Sequence, residues 1–362
     1  MLPKWFNDWN TERPADIYTP AILVGGLGGI LFVIIGIFAF GQPFATKQMQ
    51  TGPRGTGMHV SEFINEVETA DPTIADYLEA GDITEEMTAA VSDAALANVP
   101  PSLAGISPED YAQLVAAMRS WTGIPDLMED PENYQTAVAY SMVEMVQNIN
   151  ENWIGHVQAN AEVGVTCYTC HRGEAVPSEI WFRIAPVHDK AAEGWSAVQN
   201  RVTMQSQFTS LPSDALEEFI LNYGLVQVHD LEAQVDALPS EGIQTWQNTE
   251  RTYSFMNYWA NSLGVNCVFC HNSRAFYDPA QVTPQWATAS LGLAMVQEIN
   301  ELWLVELEGV YPENRLGPVY ADAPKAACKT CHKGYQQPMQ GKNVIADWPA
   351  LASVEPDFAA MN

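Results

Sequence analysis

The longest apolar run, from Pro20 to Phe40, reads PAILVGGLGGILFVIIGIFAF and holds no charged side chain. As a helix it spans about 31 Å at 1.5 Å per residue, enough to cross a bilayer. The preceding segment carries mixed charge and Trp5, Phe6 and Trp9, unlike the short basic leader of a cleaved signal peptide. Only Ala39 and Gly41 offer a small-x-small cleavage pattern, and no cysteine lies nearby for a lipid anchor. A retained single-pass anchor over 20–41 is expected. A linker over 42–60 follows, with the glycine-rich stretch Thr51-Gly-Pro-Arg-Gly-Thr-Gly57. Acidic amphipathic helices are expected between about 60 and 120. Further on, apolar residues at 142, 145, 146, 149, 153 and 157 keep helical spacing and predict one continuous helix.

That helix belongs to a repeat. Met145-Val-Gln-Asn-Ile-Asn-Glu-Asn-Trp153 recurs further along as Met295-Val-Gln-Glu-Ile-Asn-Glu-Leu-Trp303. Each copy leads into a Cys-x-x-Cys-His run, so the repeating unit is a helix, a loop and that run. A fainter relation links two other stretches. Tyr253 opens a helical pattern that leads to Cys267, and Tyr111 opens another that leads, at the same spacing, to Pro125. There the motif position reads Pro125-Asp-Leu-Met-Glu129, without thiol or histidine. It reads as a unit that has lost its chemistry, over about 105–135; an ordinary amphipathic helix is the plainer alternative.

The runs themselves are Cys167-Tyr-Thr-Cys-His171, Cys267-Val-Phe-Cys-His271 and Cys328-Lys-Thr-Cys-His332, and they contain all six cysteines. Six Cys and seven His scattered at random would give about 0.002 such runs. This is the attachment pattern of haem c: Cys167, Cys170, Cys267, Cys270, Cys328 and Cys331 form thioethers, and His171, His271 and His332 bind iron. A Cys₄ zinc site needs the pairs in twos, and a Cys₂His₂ finger spaces its histidines three to five residues apart. A thioredoxin-like motif would occur once, inside a βαβ pattern. Three covalently bound haems are expected, in units at about 139–190, 250–280 and 289–340 of a domain spanning 61–362.

The 44 acidic and 16 basic residues give a net charge of −28, which excludes a nucleic-acid footprint. The charge favours a cationic protein partner, with plain solubility as the alternative reading. Bacterial haem c is attached outside the cytoplasmic membrane. Residues after about 45 are therefore expected in the periplasm and residues 1–19 in the cytoplasm.

A low-spin electron carrier needs a Met or His on the far side of each iron. Met256 precedes Cys267 on the helix that leads into that motif. Met142 and Met145 both precede Cys167, a turn apart. Aligning the repeat sets Gly292 opposite Met142, so the third unit has no methionine there, and His156 becomes the donor to the Cys328 haem.

The stretches Met142–His156, Gly164–Gly173, Leu263–Asn272 and Arg315-Leu-Gly-Pro318 resemble the cytochrome subunit bound to photosynthetic reaction centres of purple bacteria. The resemblance runs from about residue 60 to the C-terminus. It implies a mainly α fold with little sheet, Met142 rather than Met145 at the Cys167 haem, Met256 at the Cys267 haem and His156 at the Cys328 haem. It also implies association with the core subunits, re-reduction of the photo-oxidised bacteriochlorophyll special pair, and electrons supplied by a soluble cationic cytochrome or similar periplasmic donor. By the same analogy the Cys267 haem lies nearest the special pair, then the Cys328 haem, then the Cys167 haem. The chain departs from the four-haem pattern by lacking the first motif and the lipid-anchored cysteine. A multihaem reductase would need an open iron position, and three distal ligands for three haems leave none. A membrane-anchored quinol dehydrogenase is the other rival. Its motifs are closely packed, whereas long stretches separate the motifs at Cys167, Cys267 and Cys328.

Overall fold

The computed structural model describes residues 3–12, 18–39, 46–50, 59–63, 72–159, 162–185, 198, 199, 201, 203, 206, 210–226, 246–276, 278–356 and 358. The chain divides into two units, residues 1–49 with 61–69, and residues 50–60 with 70–362.

In the first unit, α1 (Lys4–Glu12) groups Trp5, Phe6 and Trp9, with successive ring centroids 5.7 and 5.9 Å apart. The apolar run forms α2 (Tyr18–Ala39), whose Pro20–Phe38 stretch has a mean hydropathy of 2.7 and buries nothing within the structure. Ile22, Val24 and Phe32 are more than 70% exposed, which in water would leave a large apolar surface uncovered. Thr46–Gln50 (β1) pairs with His59–Phe63 (β2) in a two-stranded sheet. The expectation of helix from about residue 60 is corrected here: residues 59–63 are a strand, held by its ladder to Thr46–Gln50 and not by any local alternation, since Val60 and Phe63 stand three residues apart. The glycine-rich stretch 51–57 lies outside the described residues.

The second unit is helical and begins with α3 (Pro72–Ala80), α4 (Glu85–Ala89) and α5 (Asp93–Ala97). Then comes α6 (Pro108–Thr122), started by Ser107, whose hydroxyl accepts from Asp110 N at 3.1 Å, and ended by Gly123 at φ 63°. The first repeat helix is α7 (Tyr134–Asn152), followed by the single turn α8 (Ile154–Val157). The expected continuous helix is thus broken at Trp153, where φ −111° and ψ 29° leave the helical region and the indole Nε1 donates to Glu298 of the second repeat. The motif helix α9 (Cys167–His171) follows. Next come α10 (Trp246–Leu263), α11 (Pro284–Glu298), continued by a wider turn over Ile299–Leu304, and the motif helix α12 (Cys328–His332).

The repeat explains the architecture. The asparagine shared by both copies clamps the segment before each motif. Asn150 donates to Val165 O and accepts from Val165 N at 2.9 and 2.7 Å; Asn300 does the same with Ala326 at 2.9 and 3.0 Å. Both clamps are buried, so their two-way satisfaction fixes the register of helix and motif. A second device recurs: Gly173 N donates to Trp121 O at 2.8 Å, and Gly334 N donates to Ser262 O at 2.9 Å. Gly123 and Gly264, both at φ 63°, meet Gly173 O and Gly334 O so closely that neither position has room for a Cβ. The α6–α9 pair is therefore matched by the α10–α12 pair, each built over its own hydrophobic core.

This match shifts by one residue the frame expected for the stretch at 105–135. Gly123 stands opposite Gly264, and Glu129 N bonds Asp126 O as Cys270 N bonds Cys267 O. Asp126, Glu129 and Asp130, rather than Pro125, Met128 and Glu129, occupy the positions of the thiols and imidazole. The space is filled from within: Leu127 and Met128 are buried with Leu114, Val115, Met118 and Trp121 and with residues of α3 and α5. Arg119 closes the turn through Leu127 O and an ion pair to Glu129 at 2.5 Å, and Ser92 hydrogen-bonds the same carboxylate.

Candidate functional site

Two apolar cavities lie beside the motif helices. The larger, of about 370 Å³, is lined by Cys167, Cys170 and His171 from α9 and by Met142 and Met145 from α7. This volume falls in the range of small-molecule sites. Both methionines reach it, so the geometry does not choose between them. The smaller, of about 160 Å³, is lined by Cys328, Cys331 and His332 from α12, and by His156, Gly292 and Cys270.

His156 and His332 meet edge to face in the smaller cavity, with ring centroids 6.0 Å apart and planes at 67°. An iron between two imidazoles needs about 6 Å, from two metal–nitrogen bonds of about 2 Å plus the ring radii. The residues present therefore fit a bis-histidine haem. The break at Trp153 turns His156 toward α11, and Gly292 admits it: a Cβ there would lie 2.8 and 3.0 Å from His156 Nδ1 and Nε2. The residue that stands opposite Met142 in the repeat is the one that makes room for His156.

The ring nitrogens are sorted by backbone carbonyls. Nδ1 of His156, His171 and His332 lies 2.9, 2.9 and 3.0 Å from the carbonyl oxygens of Thr288, Glu174 and Tyr335. A carbonyl can only accept, so Nδ1 carries the proton and Nε2 presents its lone pair to the cavity. Burial lowers the pKa of His156, His171 and His271; His332 falls to about 4, from burial and then the nearby His156. All four are neutral at pH 7, the form that binds metal. Burial also pushes Cys167 and Cys328 up to about 12 and Cys270 to about 11, so these thiols stay protonated.

The Cys267 unit is less complete. Cys267 is exposed, Met256 is half-buried on α10 against Phe255 and Trp259, and His271 packs on Phe276 with centroids 5.3 Å apart. Neither Met256 nor His271 lines the two cavities. The structure also sets one pairing against expectation. The ends of α9 and α12 abut, and Cys170 and Cys331, with Cα atoms 4.5 Å apart, are joined as a disulfide. One sulfur cannot hold both that bond and a thioether, so haem attachment at these two positions requires the thiols apart. Among the described residues no three His, Cys, Asp or Glu side chains gather to hold a bare metal ion, as a zinc knuckle would require.

Attachment helices, neutral, partly buried imidazoles and apolar cavities between helices define a c-type cytochrome. The profile of the photosynthetic reaction centre cytochrome C subunit family matches residues 41–352. A protein of Roseobacter denitrificans is 55% identical over 98% of this chain and 99% of its own length. Proteins of Rubrivivax gelatinosus and Thermochromatium tepidum are 34% and 32% identical over 69% of this chain, covering 69% and 62% of their own lengths. All three are called photosynthetic reaction center cytochrome c subunit. The chain belongs to this family, and membership implies covalently bound haem c.

Proposed function

We propose that the protein is a three-haem electron carrier that re-reduces the photo-oxidised special pair of a photosynthetic reaction centre. The observation that carries the reading is the His156–His332 pair, 6.0 Å apart across a cavity that also holds Cys328 and Cys331. Bound haem supplies a one-electron iron couple. The protein's part is to hold both axial positions, exclude water and keep the carriers in fixed order. On this reading His171 and Met142 hold the Cys167 haem, His271 and Met256 the Cys267 haem, and His332 and His156 the Cys328 haem. Four partly buried, neutral imidazoles support closed coordination, which suits outer-sphere transfer.

The family's place in the reaction centre supports electron flow from a soluble cationic periplasmic donor through the Cys167 haem, then the Cys328 haem, then the Cys267 haem. The uncovered α2 supports a single-pass anchor, with residues 61–362 in the periplasm and residues 1–19 in the cytoplasm. Buried Leu127 and Met128 at the lost motif support three haems, because that position has neither thiols nor an imidazole. A pyridine haemochrome assay on the purified protein, with haem-peptide mapping, should find three haems, one on each Cys pair. Two or four would refute the reading. Flash-induced oxidation of the haems in membranes should follow the special pair's. Its absence, with quinol-driven reduction in its place, would favour the respiratory carrier.

A further inference from the structure

The two cavities differ in charge. The lining of the Cys167 cavity includes Arg315 and Lys325 and no acid, in a chain where acids outnumber bases 44 to 16. Lys325 is already engaged, buried against Asp322 and donating to Ala323 O at 2.8 Å. Arg315 is not: among the described residues it makes no ion pair and no side-chain hydrogen bond. Asn314 stands next to it, and Tyr134 and Tyr311 meet beside it with ring centroids 6.5 Å apart. Burial raises Tyr311 to about 12, so its phenol stays protonated as a donor. The turn that presents Arg315 is fixed in place. Gly317 N donates to Asp322 O at 2.8 Å, and a side chain at Gly317 would collide with the Asp322 carboxylate and with Phe182. The Cys328 cavity has no Lys, Arg, Asp or Glu in its lining; besides its two imidazoles it offers neutral groups, the amides of Gln285, Gln336 and Gln337, the hydroxyls of Thr169 and Thr288 and the Trp259 indole.

A haem carries two propionate carboxylates, and a guanidinium with neighbouring hydroxyl and amide donors is the group that recognises a carboxylate. We propose that Arg315, with Asn314, Tyr134 and Tyr311, forms the propionate-binding rim of the Cys167 haem, while the Cys328 haem meets its propionates with neutral amides. The assignment rests on the haem reading above. A cation beside a propionate offsets its negative charge, favours the reduced iron and keeps the carboxyl ionised. The titratable groups facing the rim are Tyr134 from α7, Tyr311 beside it, His171 from α9, and Lys325 with Asp322; Glu313 adjoins Arg315 in sequence.

The test is redox titration of the full protein in membranes across pH 5 to 8, comparing Arg315→Gln and Arg315→Lys with the parent. In Arg315→Gln the oxidised-to-reduced ratio of the Cys167 haem at fixed poise should rise about tenfold, equivalent to about 59 mV for a one-electron couple. Its potential should also gain a pH dependence, as the freed propionate titrates. Arg315→Lys should restore most of both, and the other two haems should not move. An unmoved potential and pH profile in Arg315→Gln, with haem still mapped to Cys167 and Cys170, overturns the rim. Absence of haem from that pair in the parent overturns the haem reading, and this assignment with it.

Discussion

Gly292→Ala tests the borrowed histidine with a single added carbon. Carbon and nitrogen in contact keep about 3.5 Å. The new Cβ would stand 2.8 Å from His156 Nδ1 and 3.0 Å from Nε2, and closer still to Cε1. The ring must therefore retreat by about 0.5–1 Å to regain ordinary contact. Metal–ligand bonds tolerate about 0.2 Å, so a retreat of this size breaks the bond to a fixed iron. The movement also strains the 2.9 Å bond from His156 Nδ1 to Thr288 O, which sets the tautomer. The Cys328 haem should pass from low-spin to largely high-spin, seen by electron paramagnetic resonance and near-infrared spectra, with three haems per chain retained. Gly309→Ala is the control, because nothing lies within 4 Å of a Cβ there. A fully low-spin Cys328 haem in Gly292→Ala would mean that His156 does not hold that iron.

Three further outcomes are expected. His156→Met should raise the potential of the Cys328 haem alone, on the order of 100 mV within the ~0.8 V that axial ligands span, as read by redox titration; equal movement of all three would point to a global change. Glu129→Gln should cost about 1 kcal/mol of stability at neutral pH, since the carboxylate is 31% exposed and screened, as measured by chemical denaturation. Hydrogen bonding from Ser92, then from Arg119, lowers the folded pKa of Glu129. The contribution is thus present above the ordinary carboxylate pKa and lost as pH falls through the folded one, so variant and parent should converge once pH is below the folded pKa. A steered cationic donor should re-reduce the protein more slowly as salt rises, because the Debye length is about 10 Å at 0.1 M. Glu144→Lys with Glu162→Lys should flatten that dependence in stopped-flow kinetics, and an unchanged salt profile would place electron entry elsewhere. Glu151 is better left alone, because it accepts from Val354 N at 2.8 Å and so ties the C-terminal segment.

The attachment motifs, the apolar helix and the repeat are legible from residue types and spacing, because each depends on short-range covalent geometry or on helical period. The match of Met142 with Gly292 in the repeat singles out His156, and the structure sets that residue in the cavity beside Gly292 and His332. Other features came only from the tertiary structure. The break at Trp153 depends on an indole reaching Glu298, far along the chain, and no local pattern records such a partner. The one-residue frame of the lost unit was set by a hydrogen bond from Gly173 to Trp121, not by the spacing of tyrosines. The strand at His59–Phe63 is decided by its partner at Thr46–Gln50, since its own five residues carry no period-two alternation. The cationic rim at Arg315 lies far beyond His171 in sequence, and only folding brings a charge so distant to the mouth of that motif's cavity.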